Sequence, residues 1–147
     1  MRPGFWVAVA AATATGAATG ADRPAPVEPA VSIKTVMTAL TERASAVLWG
    51  AETDAGAPRS DADWLRIEDH AVQVALSGVL VERGVAGPAN PAWLKRPEWR
   101  TNLDGLLAAA AAAQKAAKAK NLDALAEANG QLLESCEGCH KIALEAR

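Results

Sequence analysis

Between residues 122 and 143 the chain keeps a strict three-four alternation, Leu122, Leu125, Asn129, Leu132, Cys136, Cys139 and Ala143, which places all seven on one face of a helix. A helix with one such face cannot bury it alone, so the rest of the chain has to supply partners of the same kind. Three further stretches do. Ile33, Val36, Met37, Leu40, Ala44, Val47 and Leu48 form one stripe, with Lys34, Thr41, Glu42 and Arg43 expected outside it. Trp64, Ile67, Ala71, Val74, Gly78 and Val81 form a second, and Leu103, Leu106, Leu107 and the alanines up to Ala119 form a third. Four helices with one apolar face each predict an all-α fold, an antiparallel four-helix bundle around a shared core.

Composition agrees with that class. Half of the 147 residues are hydrophobic but only 4% are aromatic, and the long alanine runs favour helices over strands. The length suits one domain with a real core. A formal net charge of −2 points neither to nucleic acid nor to an anionic membrane as partner.

The punctuation sets the boundaries. Arg2, the short apolar run from Phe5 to Ala12 and the small residues near Ala18–Ala21 have the order of an export signal, expected over residues 1–21. That run is too short and alanine-rich for a stable membrane anchor. Residues 22–29, with Pro24, Pro26 and Pro29, read as an extended leader, leaving 30–147 as the helical domain. Turn residues fill 52–60, Ser60 or Asp61 is placed to cap the second helix, and Gly84, Gly87, Pro88 and Pro91 mark the longest connection. Pro97 suits the first turn of the third helix. Ser77-Gly78, inside an apolar stripe, calls for a close neighbour, either another helix or a flat ligand.

The last stripe ends in Cys136-Glu-Gly-Cys139-His140, a C-x-x-C-H sequence. This is the pattern for covalent attachment of one c-type haem, with two thiols bonding the porphyrin vinyls and the adjacent imidazole taking the iron. A thioredoxin-type dithiol would open a helix after a strand, and no strand pattern precedes it. A structural zinc site would need four ligands at finger-like spacing, and the chain has two cysteines and two histidines in all. His140 is therefore the expected proximal ligand and haem c the expected cofactor. Attachment outside the cytoplasm agrees with export, and the expected location is the periplasm.

A C-x-x-C-H in the last turns of a C-terminal helix, after three other helices and an export signal, resembles the cytochrome c-prime family of four-helix-bundle cytochromes. The resemblance covers residues 30–147 as architecture, and its motif content lies in Cys136, Cys139, His140 and Ile33-Lys-Thr-Val-Met37. It implies two functional classes. Low-spin members supply a first-helix methionine to the iron and carry electrons; high-spin members leave an apolar residue there and bind small gases such as nitric oxide. Met37 matches the position of that methionine. Ala143 and Leu144 stand where high-spin relatives often have an aromatic residue and an arginine; relatives also tend to have an arginine before the first-helix methionine and a lysine after it, whereas here Lys34 precedes and Thr38 follows.

Helix rise gives an independent ranking of distal ligands. In an antiparallel bundle, measured from the end shared by the first and last loops, His140 lies ~29 Å down, Met37 ~20 Å and His70 ~14 Å. Met37 is the expected sixth ligand and His70 the runner-up; a bis-histidine site would have the lower potential. The reading is a periplasmic one-electron carrier, not an enzyme, serving redox partner proteins of unknown identity, with a homodimer allowed by the resemblance. The alternative is a five-coordinate protein that binds nitric oxide or another small gas. A weak peroxidase would need an acid-base pair at the iron, for which only His70 is available.

Overall fold

Three of the four helices begin where a side chain supplies an oxygen for their free N–H groups, and the other begins on a proline. The computed structural model describes residues 31–83 and 92–145; the expected export signal, the leader and the 84–91 connection lie outside the described residues. Ser32 opens the first helix, α1 (residues 33–50), its Oγ accepting from the Thr35 N–H at 3.1 Å. The second, α2 (Asp61–Glu82), starts with a capping box: Ser60 Oγ accepts from the Asp63 N–H at 3.2 Å, and Asp63 Oδ2 accepts from the Ser60 N–H at 3.0 Å. Pro97 opens α3 (Pro97–Lys118) after a 3-10 turn at Ala92–Lys95. Asn121 caps α4 (Leu122–Glu145), its Oδ1 accepting from the Ala124 N–H at 3.0 Å.

The fold is all-helical, with no strand among the described residues. Consecutive helices pack on one another, α1 on α2, α2 on α3 and α3 on α4. The α3–α4 connection is the tightest. Lys120 adopts a left-handed conformation (φ 51°) and the Asn121 N–H reaches back to the Ala116 carbonyl at 3.0 Å, closing the helix end as glycine usually does. Ion pairs mark which ends meet: Asp61 at the start of α2 takes Lys120 Nζ at 2.7 Å, and Glu82 at its end takes Arg100 Nη2 at 2.6 Å. No described helix is long and apolar enough to cross a membrane.

The core divides into two clusters. The larger holds Leu48, Ile67, Val74, Leu106, Leu125 and Leu132 with the alanines of α3, and the smaller holds Val36, Val81, Trp99, Leu103, Cys139 and Ile142. Small residues let α3 approach its neighbours closely. A β-carbon on Gly78 would lie 2.8 Å from Leu106 Cδ2 and from Leu107 Cδ2, so the neighbour of Gly78 is α3.

Two local expectations change. Thr41, expected outside the stripe, is buried, because it stands two turns before Leu48 on the same face and its hydroxyl is satisfied by Ser77 Oγ at 2.8 Å. And α1 is not a uniform α-helix: Ile33–Val36 and Glu42–Gly50 are α-helical, but Met37–Thr41 form a π turn, in which the Glu42 N–H donates to the Met37 carbonyl five residues back.

The α2 capping box gives a direct test of this construction. Ser60→Ala should lower the unfolding free energy by about 1 kcal/mol in urea titration without altering helix content at neutral pH. An unchanged midpoint would mean that the box contributes nothing.

Candidate functional site

The packing of α4 on α3 decides where its reactive side chains point. A β-carbon on Gly138 would collide with the Asn102 side chain, and one on Gly105 would sit 2.7 Å from Ser135 Oγ. The Ser135–Gly138 side of α4 is thus committed to α3. One residue on, close to 100° around the helix, Cys139 turns into the core and is 8% exposed in the smaller cluster. Further round, on the side away from α3, lie Asn129, Leu133, Cys136 and His140 in steps of four, three and four.

That last face starts under cover and then loses it. Asn129 is fully buried, its Nδ2 donating to the Leu48 carbonyl at 2.9 Å and to Glu52 Oε1 at 2.5 Å, so it faces α1. Both halves of α1 pack on α2, and the Glu42–Gly50 half also meets α4. The first half shares the smaller cluster with α4, where Val36 lies with Cys139 and Ile142. Along the Asn129 face Leu133 is 47% exposed, Leu144 is 62% exposed and His140 is exposed, while Cys136 is half-buried against the larger cluster. The stripe that carries the thiol and the imidazole is thus partly open to solvent.

Met37 lies toward the same end of the molecule. Leu48 and Asn129 fix the level at which α1 and α4 touch; Met37 is eleven residues before the one and His140 eleven after the other, each ~16 Å along its helix. Both lie toward the smaller cluster, against which Met37, Leu40 and Trp93 pack as half-buried residues. The equal spacing replaces the unequal levels drawn from loop ends alone, which ignored how the helices slide past one another.

His70 is placed differently. It is half-buried on α2, outside both clusters, and its Nδ1 lies 2.8 Å from the Arg66 carbonyl of its own helix, which makes Nδ1 the protonated nitrogen. It stands eleven residues, ~16 Å, from Val81, the α2 residue in the smaller cluster. The fold brings Met37, Cys139 and the Cys136–His140 stripe to one end and leaves His70 near the middle of α2.

The cysteines are free. Burial, and secondarily the Glu137 carboxylate, pushes the Cys136 thiol up; burial, and secondarily Cys136, pushes Cys139 up to about 11. Both therefore stay as neutral thiols at physiological pH, the S–H form that adds across a carbon–carbon double bond. No three His, Cys, Asp or Glu side chains converge as a metal-holding group among the described residues. The donors are instead spread along one helix. Trp99 closes the inner side of the site, its ring 4.5 Å from that of Trp93 in an edge-to-face pair.

Sequence reading missed the π turn and the role of Asn102 against Gly138. The π turn leaves little trace in periodicity, because Ile33, Val36, Met37 and Leu40 offer apolar side chains to either register; the Gly in C-x-G-C was the available signal for a close neighbour. No protein-family model, no curated protein and no solved structure matches this chain.

Thiol chemistry tests the placement. In haem-free protein, iodoacetamide should modify Cys136 before Cys139, and the Cys139 rate should rise with a midpoint near 11 instead of its ordinary 9.0. Since folded Cys139 holds its proton more tightly than unfolded Cys139, its contribution to stability is full below pH 9.0 and is lost as the pH climbs toward 11. Equal labelling of the two cysteines at neutral pH would contradict the burial.

Proposed function

We propose that this chain is a periplasmic monohaem c-type cytochrome of the cytochrome c-prime kind, an antiparallel four-helix bundle that carries single electrons and is not an enzyme. The observation that carries the reading is the α1-facing side of α4. It is covered at Asn129 and exposed further along, at Leu133, His140 and Leu144, and Met37 packs against the same smaller cluster as Cys139. Unsealed apolar surface on a core-facing stripe calls for a covering group, and the residues present suit one flat macrocycle. The thiols and the imidazole are spaced along an edge and do not gather at a point, as zinc would require.

In this reading Cys136 and Cys139 hold haem c through thioethers, His140 is the proximal iron ligand and Met37 the distal one. When bound, haem supplies the one-electron iron couple. The chain supplies the rest. Val36, Val81, Trp99 and Leu103 keep water from the inner edge of the site, and the neutral thioether of Met37 favours the reduced state relative to an imidazole. The ion pairs Asp61–Lys120 and Glu82–Arg100 support the antiparallel order of α2 and α3. The exposed His140 imidazole would leave that side of a bound haem accessible to redox partner proteins, and the expected export signal over residues 1–21 would deliver the chain to the compartment where such haem is attached.

Optical spectra of the purified mature protein test this. The alkaline pyridine haemochrome should be that of c-type haem, with sharp low-spin reduced bands and a weak far-red ferric band from sulfur ligation that Met37→Ala abolishes. Sharp bands that survive Met37→Ala but are lost in His70→Ala would transfer the sixth position to His70. Broad high-spin bands that shift with nitric oxide would make the protein a gas binder, and absence of haem from protein matured with a c-type attachment system would overturn the proposal.

A further inference from the structure

We propose that the π turn Met37–Thr41 is a register device that swings Met37 toward α4, and that Ser77 and Gln73 of α2 are the positioning residues that hold it. The inference rests on the reading of Met37 as the sixth ligand. In an unbroken α-helix, a residue eleven positions before Leu48 falls almost on the same line as Leu48, pointing into the core. The π turn fits one extra residue into its loop of chain, which rotates the preceding segment by up to ~100°. The burial pattern follows the rotated register: Val36 is 3% exposed and Met37 is only half-buried, at the rim of the cluster.

The direction of the swing comes from what each side of α1 touches. Leu40 offers its carbonyl to Gln73 on the α2 side, while Leu48 and Glu52 take the Asn129 amide on the α4 side. Stepping back through 4.4 residues per turn, not 3.6, carries Met37 from the core line to the flank it shares with Glu52. That flank faces Cys136 and His140. The extra residue thus turns the thioether off the core line toward the rim of the smaller cluster, and places the β-branched Val36 in the core in its stead.

A π turn is rarely stable without help, and here the help comes from α2. Thr41 Oγ1, at the end of the turn, donates to Ser77 Oγ at 2.8 Å, and Ser77 Oγ passes its own proton to the Val74 carbonyl at 2.7 Å. Both hydroxyls are buried. Gln73 Nε2 reaches the Leu40 carbonyl inside the turn at 3.4 Å. Only α2 makes these bonds, so the sixth-ligand position is set by side chains that do not touch the proposed haem.

The experiment exploits the equivalence between a π turn and a one-residue insertion. In holoprotein, Ser77→Ala combined with Gln73→Leu should let α1 relax to a regular helix, abolishing the sulfur-ligation band while the c-type pyridine haemochrome is unchanged. Deleting Ala39, an exposed residue of the turn, should restore the band in that background, because a regular helix one residue shorter delivers Met37 to the same side. Deletion of Ala39 alone should leave the band in place. A double variant that keeps the band, or a folded Ala39 deletion that loses it, would overturn the proposal. The register has a readout without haem as well: in a Cys136→Ser, Cys139→Ser background, maleimide should label Met37→Cys faster than Val36→Cys, and the α2 double variant should reverse that order. Unreversed labelling would sink the register device even if the haem reading stood, and reversed labelling would sustain the device if the wild-type spectrum lacked sulfur ligation.

Discussion

The close approach of α3 to α4 is the constraint on which everything else depends. Ala109, Ala110, Ala113, Ala116 and Ala117 are all buried, and with no side chain beyond the β-carbon they let the two helices lie near one another along most of their length. Gly105 against Ser135 and Gly138 against Asn102 extend that contact to the end of α4. A helix held this tightly along one side has no freedom to rotate. Its other faces are then fixed by the 3.6-residue repeat, so Cys139 faces the core while Cys136 and His140 face α1. The motif's glycine is a packing residue as much as a spacer.

A second constraint fixes how α1 lies on α4. Asn129 ties α4 to α1 through the Leu48 carbonyl and Glu52, yet its own Oδ1 and the hydroxyl of Ser45 are buried without protein partners. A buried amide costs more than leucine would at the same place, and what it gives in return is register, since only one sliding position of α1 on α4 satisfies its donor. That position sets Met37 and His140 at equal distances from the contact.

Much of this was legible in the sequence, and for identifiable reasons. The four stripes repeat at three and four over many turns, so the helices, the Ser60 cap, Pro97 at the start of α3 and the break at Asn121 all follow from local chemistry. Cys136, Cys139 and His140 are adjacent in sequence and needed no fold to bring them together. Met37 could be ranked above His70 from helix rise alone, but their levels could not be drawn accurately, because the sliding of α1 on α4 is set by a tertiary bond from Asn129. Thr41 was misjudged for a related reason: a threonine on an apolar line looks like surface until a partner hydroxyl such as Ser77 is in place.

The π turn was invisible for a deeper reason. Periodicity identifies a helix by which positions are apolar, and around Met37 the apolar residues come in the pattern Ile33, Val36, Met37, Leu40, which fits two registers rotated by one residue. Side chains on α1 cannot choose between them. The other helix bonds the turn, through a buried hydroxyl pair and one amide. A buried Ser-Gly pair in the middle of α2 then has two separable roles. Gly78 admits Leu106 and Leu107 of α3, and Ser77 reaches the opposite way to hold α1. The geometry at the end of α1 is thus written largely in α2, which is why a residue-by-residue reading of the first helix finds Met37 but not the direction in which it points.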